Sequence, residues 1–547
     1  MARFRPYYRH PSHLLGESET TRMTLRPTGQ LGLHVLRWSS AAVMMIALAP
    51  TPGRAQWLDA RFPRRGQLQV EFGPGFATFD SRFRPDGSVQ STAEVYSALI
   101  GPGLVPELVA LNDTIGNVFS RLGLPPPEKN PTLGRLHLDV LNERTRAPFT
   151  ITWAVTDWLA VSGTVPIVNA AAFVGSGVDS ATAGAGNTLF GGNPDAFFTD
   201  LDQAISQLES MVAADTLAPD RQAAAQALLD RARDVEAGLQ AFHGLAYGPT
   251  DTGAAGVALH QLYDGLTAGF EGFGIMPPEL TLAEPVDGDA LAGFVSGSAF
   301  GTQPFRPRRV TGTKFGDLEV GLSLQPINTF PSPRNGSATV RVRARLDARY
   351  RFANATPRLA SRLFDPGVGA GFPDAHLSST VDLAFGRRFW LSAFGTFDLR
   401  REAEMAWLFT SPASPIQRGA FVAPAHWDPG DVWSAGIAPR FNLTPAITFS
   451  ALFARTHHGR DRLTPVNALP TDAPFSPADQ ERGSRYTGRI LGFGLRYAST
   501  EWDGTRRSGL PLEVELRYRL WVGADGGYAP RLRVWEVGAR WYPSLYH

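Results

Sequence analysis

Apolar and polar residues alternate along most of the chain. In the clearest run, 339–352, one set of alternate positions is Val, Val, Ala, Leu, Ala, Tyr and Phe, and the other is Thr, Arg, Arg, Arg, Asp, Arg and Arg. Successive side chains of a β-strand point to opposite faces, so this run predicts a strand with one apolar and one charged face. A soluble sheet contains similar strands, so the number of such strands has to decide between a soluble and a membrane protein.

The same pattern predicts about twelve strands, with fourteen as the alternative count. Many of them reach the ~9–11 residues that a tilted membrane-spanning strand needs. Beyond the N-terminus no apolar run reaches the ~18 residues of a transmembrane helix, so a membrane protein of this composition has to be a closed barrel. The predicted fold class is all-β, an antiparallel transmembrane β-barrel, with strands at 67–79, 134–156, 158–168, 314–325, 337–352, 376–386, 388–401, 431–443, 446–456, 486–498, 510–523 and 530–543.

The lengths of the connections support an even count with both termini in the periplasm. Barrels of this kind have short periplasmic turns and longer outer loops. Counting back from the last strand places the short connections 156–158, 386–388 and 444–445 in the periplasm, together with two longer ones at 326–336 and 499–509. The same count places outside the cell five long stretches: 80–134, 169–313, 353–375, 402–430 and 457–485.

Residues 170–312, between predicted strands 3 and 4, break the alternation and are predicted to be a helical extracellular insertion. Apolar residues three or four positions apart share one face of a helix. This spacing occurs twice, which predicts a helical hairpin that caps the mouth, enters the lumen, binds a partner or is only a solvated excursion. The two apolar sets are Leu201, Ile205, Leu208 and Val212, and Leu228, Ala232, Val235, Leu239 and Phe242.

The first 55 residues are predicted to be a signal peptide, which leaves 56–547 as the mature barrel. Residues 41–49 read AAVMMIALA, Arg26 and Arg37 precede them, and Gly53 and Ala55 are small residues at the expected cleavage site. A charged region, a short apolar core and a small-residue cleavage site are the three parts of an export signal.

Composition narrows the function classes further. The chain has no cysteine, which excludes disulfides, Cys-ligated metals and a lipoprotein anchor. Its net charge of +1 does not suggest a nucleic-acid partner. The expected partners are outer-membrane lipid, the barrel-assembly machinery and a small-molecule solute, with no cofactor and with the oligomeric state left open.

The charged faces of two strands supply the candidate residues of the lumen. If their apolar neighbours face lipid, these side chains face inward, where a basic wall attracts anions or constricts a pore. An internal salt-bridge ladder is the favoured interpretation, since unpaired charges inside a narrow barrel are costly. Asp382, Asp398, Glu513 and Glu515 are available for it. The lumen-facing candidates are Arg341, Arg343, Arg345, Arg349, Arg351, Glu513, Glu515, Arg517 and Arg519.

Enzymatic chemistry has little support, and the chain is not expected to be an enzyme. His137 and Asp139 share one face of a strand, and His457 and His458 are adjacent, so either set could join an acid–base or metal site. No motif fixes the other members of a catalytic set, and neighbouring residues of a strand cannot point the same way. An outer-membrane hydrolase is the third hypothesis, and it requires His137 or His457.

The stretch 149–166, FTITWAVTDWLAVSGTVP, resembles a hairpin of bacterial outer-membrane channels, and Gly316–Gly321 resembles a strand opening in the same proteins. The chain is similar to transporters associated with phenol degradation and, more distantly, to long-chain fatty-acid channels. The resemblance covers about a tenth of the chain and implies a barrel that takes up small solutes, with hydrophobic or aromatic compounds as the class. The alternative function is a surface-exposed interaction protein that uses the barrel as an anchor and the insertion as a binding module.

This resemblance has two departures. The chain ends in Leu545, Tyr546 and His547, whereas such barrels usually end in Phe or Trp, the signal that the assembly machinery reads. The predicted insertion is also larger than the resemblance implies.

Overall fold

A computed structural model describes the protein over residues 59–127, 131–187, 194–214, 217–303, 308–330, 340–386, 388–410, 416–470, 476–499 and 510–543. All of these residues belong to one compact unit, Ser39–His547. The predicted signal peptide, 1–55, and the last residues, 544–547, lie outside the described residues.

Within the described residues, twelve strands form a closed antiparallel barrel, which confirms the predicted fold class and count. Strand β1 has two segments, and both pair with the second and with the last strand, which closes the barrel. The strands are β1 (Leu68–Phe72 and Gly75–Phe79), β2 (Leu133–Ala154), β3 (Leu159–Ala183), β4 (Glu319–Asn328), β5 (Val340–Arg351), β6 (Asp374–Phe385), β7 (Phe389–Arg400), β8 (Val432–Asn442), β9 (Ile447–His458), β10 (Tyr486–Ala498), β11 (Leu512–Asp525) and β12 (Arg533–Trp541).

The outer wall of the barrel is apolar. Large hydrophobic side chains on the outward positions are exposed on every strand, among them Phe72, Ile151, Val161, Leu322, Leu346, Leu377, Phe397, Ile437, Phe453, Phe493, Leu516 and Val537. Exposed tryptophans lie near strand ends, as expected of residues at a membrane interface. Trp390 of β7 is an exception, since it is buried inside the barrel while its neighbour Phe389 takes the outward position.

The two ends of the barrel differ in their connections. At one end, here called the turn end, the connections are 155–158, 329–339, 386–388, 443–446 and 499–511, and the described chain also begins and ends there. At the other end, here called the loop end, five connections are long: 80–132, 184–318, 352–373, 401–431 and 459–485. This division follows the predicted parity.

Strand β3 is longer than predicted. Residues 170–183 were predicted to have left the barrel, but they continue β3 and pair with β2 as far as Leu133. The small residues of 170–177 carry no strong alternation, which hid the strand. They are accommodated because β2 and β3 extend together beyond the barrel, where Leu136, Leu138 and Val140 pack on helices.

Four of the six described helices lie between β3 and β4, and both predicted apolar stripes fall on helices of this group. Residues from 93–119, 197–300, 363–364 and 408–420 share one hydrophobic core, here called the cap core, so the loop end is covered by a packed cap. None of the described helices is long and apolar enough to span a membrane. The helices are α1 (Glu107–Arg121), α2 (Pro194–Ala213), α3 (Pro219–His243), α4 (Ala254–Glu271), α5 (Gly288–Phe294) and α6 (Pro477–Glu481), with 3₁₀ turns at Glu94–Tyr96 and Ser298–Phe300.

Several short strands lie outside the twelve strands of the barrel, in the connections of the loop end. One three-stranded sheet consists of Ala403–Phe409, Phe421–Asp428 and Arg462–Pro465. A second three-stranded sheet consists of Ser81–Phe83, Val89–Ser91 and Ala529–Pro530. A two-stranded sheet joins Ala185–Gly186 and Gly248–Pro249, while Ala98–Leu99 pairs with β2, and Arg308–Val310 and Lys314–Phe315 pair with β3.

Candidate functional site in the barrel lumen

A ring of buried charges lines the inside of the barrel near the turn end. The alternation of each strand turns one residue in two inward, and on seven strands the inward residue at this level is ionic or strongly polar. Burial in a narrow lumen requires each charge to have a partner. The ring consists of Gln325, Arg343, Asp382, Arg440, Arg496, Glu513 and Arg540, all of them buried.

The chain segment before β1 crosses the lumen at the level of this ring. The Ala60 N–H donates to Oδ2 of Asp382 over 3.0 Å, and the Ala60 carbonyl accepts from Nε2 of Gln325 over 2.8 Å. The Arg61 carbonyl accepts from Nη1 of Arg345 over 2.9 Å. Three neighbouring strands, β4 to β6, therefore hold the backbone of this segment.

The side chains of the same segment contact the other side of the barrel. The Asp59 carboxylate is 2.6 Å from Nη1 of Arg496 and 3.3 Å from Nη1 of Arg540, and Arg440 lies at 4.0 Å. Arg61 pairs with Glu513 of β11. Because the backbone contacts β4–β6 and the side chains contact β8 and β10–β12, residues 59–62, here called the plug, span the lumen.

The plug is held by electrostatics rather than by an apolar core. Burial alone would raise the pKa of Asp59, but the guanidinium groups of Arg540, Arg496 and Arg440 hold it well below its ordinary value. Charge-assisted hydrogen bonds of this kind are roughly twice as strong as neutral ones. Asp59 is therefore ionised at neutral pH.

The nine predicted lumen residues all lie on inner positions of β5 and β11. Arg343, Arg345, Arg351, Glu513, Glu515 and Arg517 are buried, and Arg341, Arg349 and Arg519 are half-buried. Of the carboxylates available for a ladder, Asp382 pairs with Arg343 over 2.7 Å and Glu513 with Arg496 over 2.8 Å. Asp398 pairs instead with His376.

Other pairs use carboxylates on the same or the adjacent strand. Arg345 pairs with Asp347 over 2.8 Å and Arg351 with Asp374 over 2.6 Å. Glu515 lies 3.9 Å from Arg517, and Arg519 pairs with Glu536 of β12. The structure thus distributes the predicted residues over the height of the lumen rather than at one point.

Sequence reasoning missed the residues that connect the ring to the plug. Arg440, Arg496 and Arg540 occupy charged positions in strands that were themselves predicted, so their inward orientation follows from the alternation. Asp59 carries no such signal, because 59–62 precede the first strand and show no period.

A second polar cluster lies at the loop end. Nη1 of Arg400 is 2.9 Å from Nε2 of His458, and Nδ1 of His458 is 2.7 Å from the Gly459 carbonyl. A guanidinium only donates, so Nε2 must accept, and His458 is the neutral tautomer with the proton on Nδ1. The nearby Asp461 accepts from the N–H of Gly430 over 2.9 Å, and burial raises its pKa to about 6.

Of the histidines considered for catalysis, His458 belongs to the loop-end cluster, whereas His137 and His457 lie outside both clusters. His137 and Asp139 are exposed on the extension of β2. His457 faces outward, where its Nδ1 is 3.0 Å from Oγ1 of Thr487 and its ring lies against Trp433. Among the described residues, no group of three or more His, Asp or Glu side chains is placed to hold a metal ion.

Comparisons with solved structures return outer-membrane barrels. The COG4313 outer membrane channel from Pseudomonas putida F1 is similar over 90% of this chain and 99% of that chain, with 7% identity and a TM-score of 0.39. A Pseudomonas aeruginosa FadL homologue covers 92% of this chain and 98% of its own, with 11% identity and a TM-score of 0.27. The Ralstonia pickettii toluene transporter TbuX covers 86% and 89%, with 8% identity and a TM-score of 0.25.

No protein-family model matches the chain, and no curated protein matches it. The similarities to solved structures are weak in sequence and in superposition, so the location rests on the molecule itself. A closed β-barrel with an apolar outer wall, exposed tryptophans at strand ends and a charged interior is built for a lipid bilayer. The chain is a protein of the bacterial outer membrane.

Proposed function

We propose that this protein is an outer-membrane channel for small solutes that the plug holds closed. The observation that carries the proposal is the composition of the lumen at the turn end, where residues 59–62 fill it through hydrogen bonds and ion pairs. A barrel that served only as an anchor would gain more stability from an apolar core, since a buried ion network is rarely more stable than a hydrophobic one. A polar plug can leave for water, whereas an apolar core cannot.

The orientation of the protein follows from its connections. Short turns face the periplasm and long loops face outward in barrels of this kind. The plug therefore closes the periplasmic side, and the helical cap, including the predicted insertion within 170–312, covers the outer mouth. A solute has to pass the cap before it reaches the ring of charges.

The solute class is proposed from the resemblance of the hairpin 149–166. Two proteins with similar structures are a monoaromatic hydrocarbon channel, TodX, and the toluene transporter TbuX. We extend to this chain the class of small hydrophobic or aromatic solutes. The ionic ring favours, within that class, compounds that also carry a polar group, because a wholly apolar solute would leave the ring charges without water or partners.

Single-channel conductance of the mature chain tests the channel proposal. Asp59→Asn removes the charge that joins the plug to Arg496 and Arg540, so we expect the conductance to rise at least severalfold over a nearly closed wild type. The matched control is Asp86→Asn, which alters an exposed carboxylate in a loop. Background current for both the wild type and Asp59→Asn would contradict the proposal.

Block of that current tests the solute class. Phenol added to the open Asp59→Asn channel is expected to produce resolved blockades, while glycerol at the same concentration is not. Equal effects of the two solutes would exclude aromatic compounds as the preferred solute class, but they would not contradict the channel proposal.

A second candidate function is a surface interaction module carried by the barrel. The size of the cap core favours it, since this core joins five helices, α1–α5, to segments from other loops. It predicts that removal of 194–294 abolishes surface binding by intact cells. If binding persists while permeability changes, this candidate fails.

A further inference from the structure

Four arginines lie on the outside of the barrel near its loop end. Arg455 of β9, Arg489 of β10 and Arg533 of β12 occupy outward positions, and Arg485 precedes β10 with the same parity as Arg489. All four are exposed, and their immediate neighbours Thr456, Gly488 and Val534 are buried inside. Arginines at these positions face the membrane rather than the lumen.

Two of these arginines lie directly opposite each other. Arg455 and Arg489 are cross-strand partners in the β9–β10 ladder, and both point outward. Like charges directly opposite on one face of a sheet destabilise it. Arg455 and Arg485 also lie close enough to the His457 ring to act on it electrostatically, which makes a third charge part of the same patch.

Acidic groups compensate this patch only in part. Asp525 lies 3.6 Å from Arg489, with both side chains more than half exposed. The nearby Asp431 is engaged through Oδ1 with the backbone N–H of Arg400 over 3.0 Å. Over the described part of the chain, Arg455, Arg485 and Arg533 form no ion pair, so the patch keeps a net positive charge.

Below the patch the same two strands present an apolar surface. Phe453 is 50% exposed, Phe493 55% and Leu495 50%, and the ring of Phe449 stacks on Phe493 with 6.5 Å between centroids. On the other side of the patch, Trp433 is exposed against His457. The wall is therefore amphipathic along its height, with aromatic rings below and guanidinium groups above.

The height of the arginines matches the edge of the hydrocarbon layer. From the turn end of β9 at Ile447 to Arg455 the strand advances eight residues, about 27 Å along its axis. A tilt of about 40° turns this into a rise of about 20 Å, near the top of an apolar band about 25 Å tall. Arginine on a lipid-facing wall costs about 2–4 kcal/mol at mid-depth and about 0–1 kcal/mol at the interface, so here it is tolerated.

We infer that Arg455, Arg489 and Arg485 bind the phosphate groups of a phosphorylated glycolipid of the outer leaflet, whose acyl chains lie on Phe453, Phe493 and Leu495. A phosphate between Arg455 and Arg489 replaces their repulsion with two charge-assisted contacts. Arg533, two strands away, is placed for a second phosphate. The inference rests on the orientation with the loop end outward, and it is independent of transport.

Native mass spectrometry of the full mature chain tests the site. The protein is refolded with hexa-acylated lipid A that carries two phosphates, and in parallel with the same lipid after removal of both phosphates. We expect the wild type to retain the phosphorylated lipid at least tenfold better than the dephosphorylated one. Arg455→Gln with Arg489→Gln should reduce retention at least tenfold, and Arg485→Gln alone should reduce it severalfold.

The matched control changes two exposed arginines away from the wall, Arg135→Gln with Arg231→Gln, which removes the same charge. Heat-modifiable electrophoretic mobility establishes that each variant has folded. If the double variant does not fold, Arg485→Gln still tests the site, because Arg485 lies outside the barrel strands. Three outcomes would contradict the proposed lipid site. They are equal retention of the two lipids, unchanged retention in the folded Arg485→Gln and double variants, and an equal loss of retention in the control variant. A protein dimer that forms instead of a lipid complex would assign the patch to a second copy and overturn it as well.

Discussion

The two ends of this barrel are closed by different kinds of interaction. At the loop end, helices and loops share a hydrophobic core of buried Leu, Val, Ala and aromatic side chains. At the turn end, four residues cross the lumen through hydrogen bonds and ion pairs. Apolar burial strengthens with area and is insensitive to pH, whereas a charged contact can exchange its partners for water. This difference supports the proposal that the cap is a permanent closure and the plug a removable one.

The largest effect is expected from breaking the cap core. Phe242 of α3 is fully buried there, and its replacement by Ala should destabilise the cap by about 3–5 kcal/mol through lost burial and a cavity. Amide hydrogen exchange of α2–α4 measures the change. Phe294→Ala, at a half-exposed phenylalanine of α5, is the control and should cost much less. Equal destabilisation by the two variants would contradict a core centred on Phe242.

A pH effect of intermediate size is expected at the loop end. Burial raises the pKa of Asp461 to about 6, above the ~3.9 of an unfolded Asp. The folded state therefore binds the Asp461 proton more tightly than the unfolded state does. Protonated Asp461 contributes its full stabilisation below pH 4, and this stabilisation is lost as the pH rises through 6, which lowers the free energy of unfolding by up to about 3 kcal/mol. Exchange protection of the Gly430 amide should fall from pH 4 to pH 7 after correction for the intrinsic rate. In Asp461→Asn this dependence should vanish; if it persists, another group is responsible.

A smaller effect is expected in the turn-end connection between β2 and β3. Oγ1 of Thr156 accepts from the N–H groups of Leu159 over 2.9 Å and Trp158 over 3.2 Å. Thr156→Ala should cost about 1 kcal/mol in unfolding free energy, because it removes one side-chain acceptor from a turn. Thr156→Ser keeps the hydroxyl and should be close to the wild type in urea unfolding. A loss of equal size in both variants would show that the methyl group, and not the hydrogen bond, stabilises the turn.

The smallest effect is expected for the plug on mild acidification. The ionised Asp59 carboxylate contributes its full stabilisation of the plug above the ordinary pKa of an Asp. This stabilisation is lost only as the pH falls through the lower pKa that Asp59 has in the folded protein. Conductance of the wild type should therefore change less than twofold between pH 7 and pH 5. Opening between these values would mean that a group other than Asp59 controls the plug.

The strands were predictable because each of them has to present an apolar face to lipid and a polar face to the lumen. This requirement imposes a period of two, as in 339–352. Because the period shows where each strand ends, it also locates the short connections between strands. The requirement disappears at 170–183, where β3 leaves the bilayer and packs on helices, and the prediction failed there for that reason. Helix α4 has its own apolar stripe at helical spacing, formed by Leu259, Leu262, Leu266 and Phe270, and this stripe is a signal for a further helix in the sequence.

The partners of the lumen residues were less accessible to sequence reasoning than their orientation. Alternation turns Arg343 and Glu513 inward, but register and barrel closure decide that Glu513 meets Arg496 and Arg540. The plug was beyond prediction, because residues 59–62 take their place from the ring and not from any local pattern. A segment without periodicity becomes ordered when a complementary surface is built elsewhere in the chain.

The most direct test of the removable plug is to lock it in place. The chain has no cysteine, so Ala60→Cys with Gln325→Cys introduces a single pair of thiols. Because the 2.8 Å contact joins the Ala60 carbonyl to the end of the Gln325 side chain, a direct S–S bond would be too short, and a short bis-methanethiosulfonate reagent is used to join the two thiols through a reducible disulfide bridge. In the Asp59→Asn background, we expect conductance to be near background while the disulfide is intact and to rise severalfold on reduction. A high conductance that is the same before and after reduction of a disulfide-bonded protein would show that residues 59–62 do not close the channel.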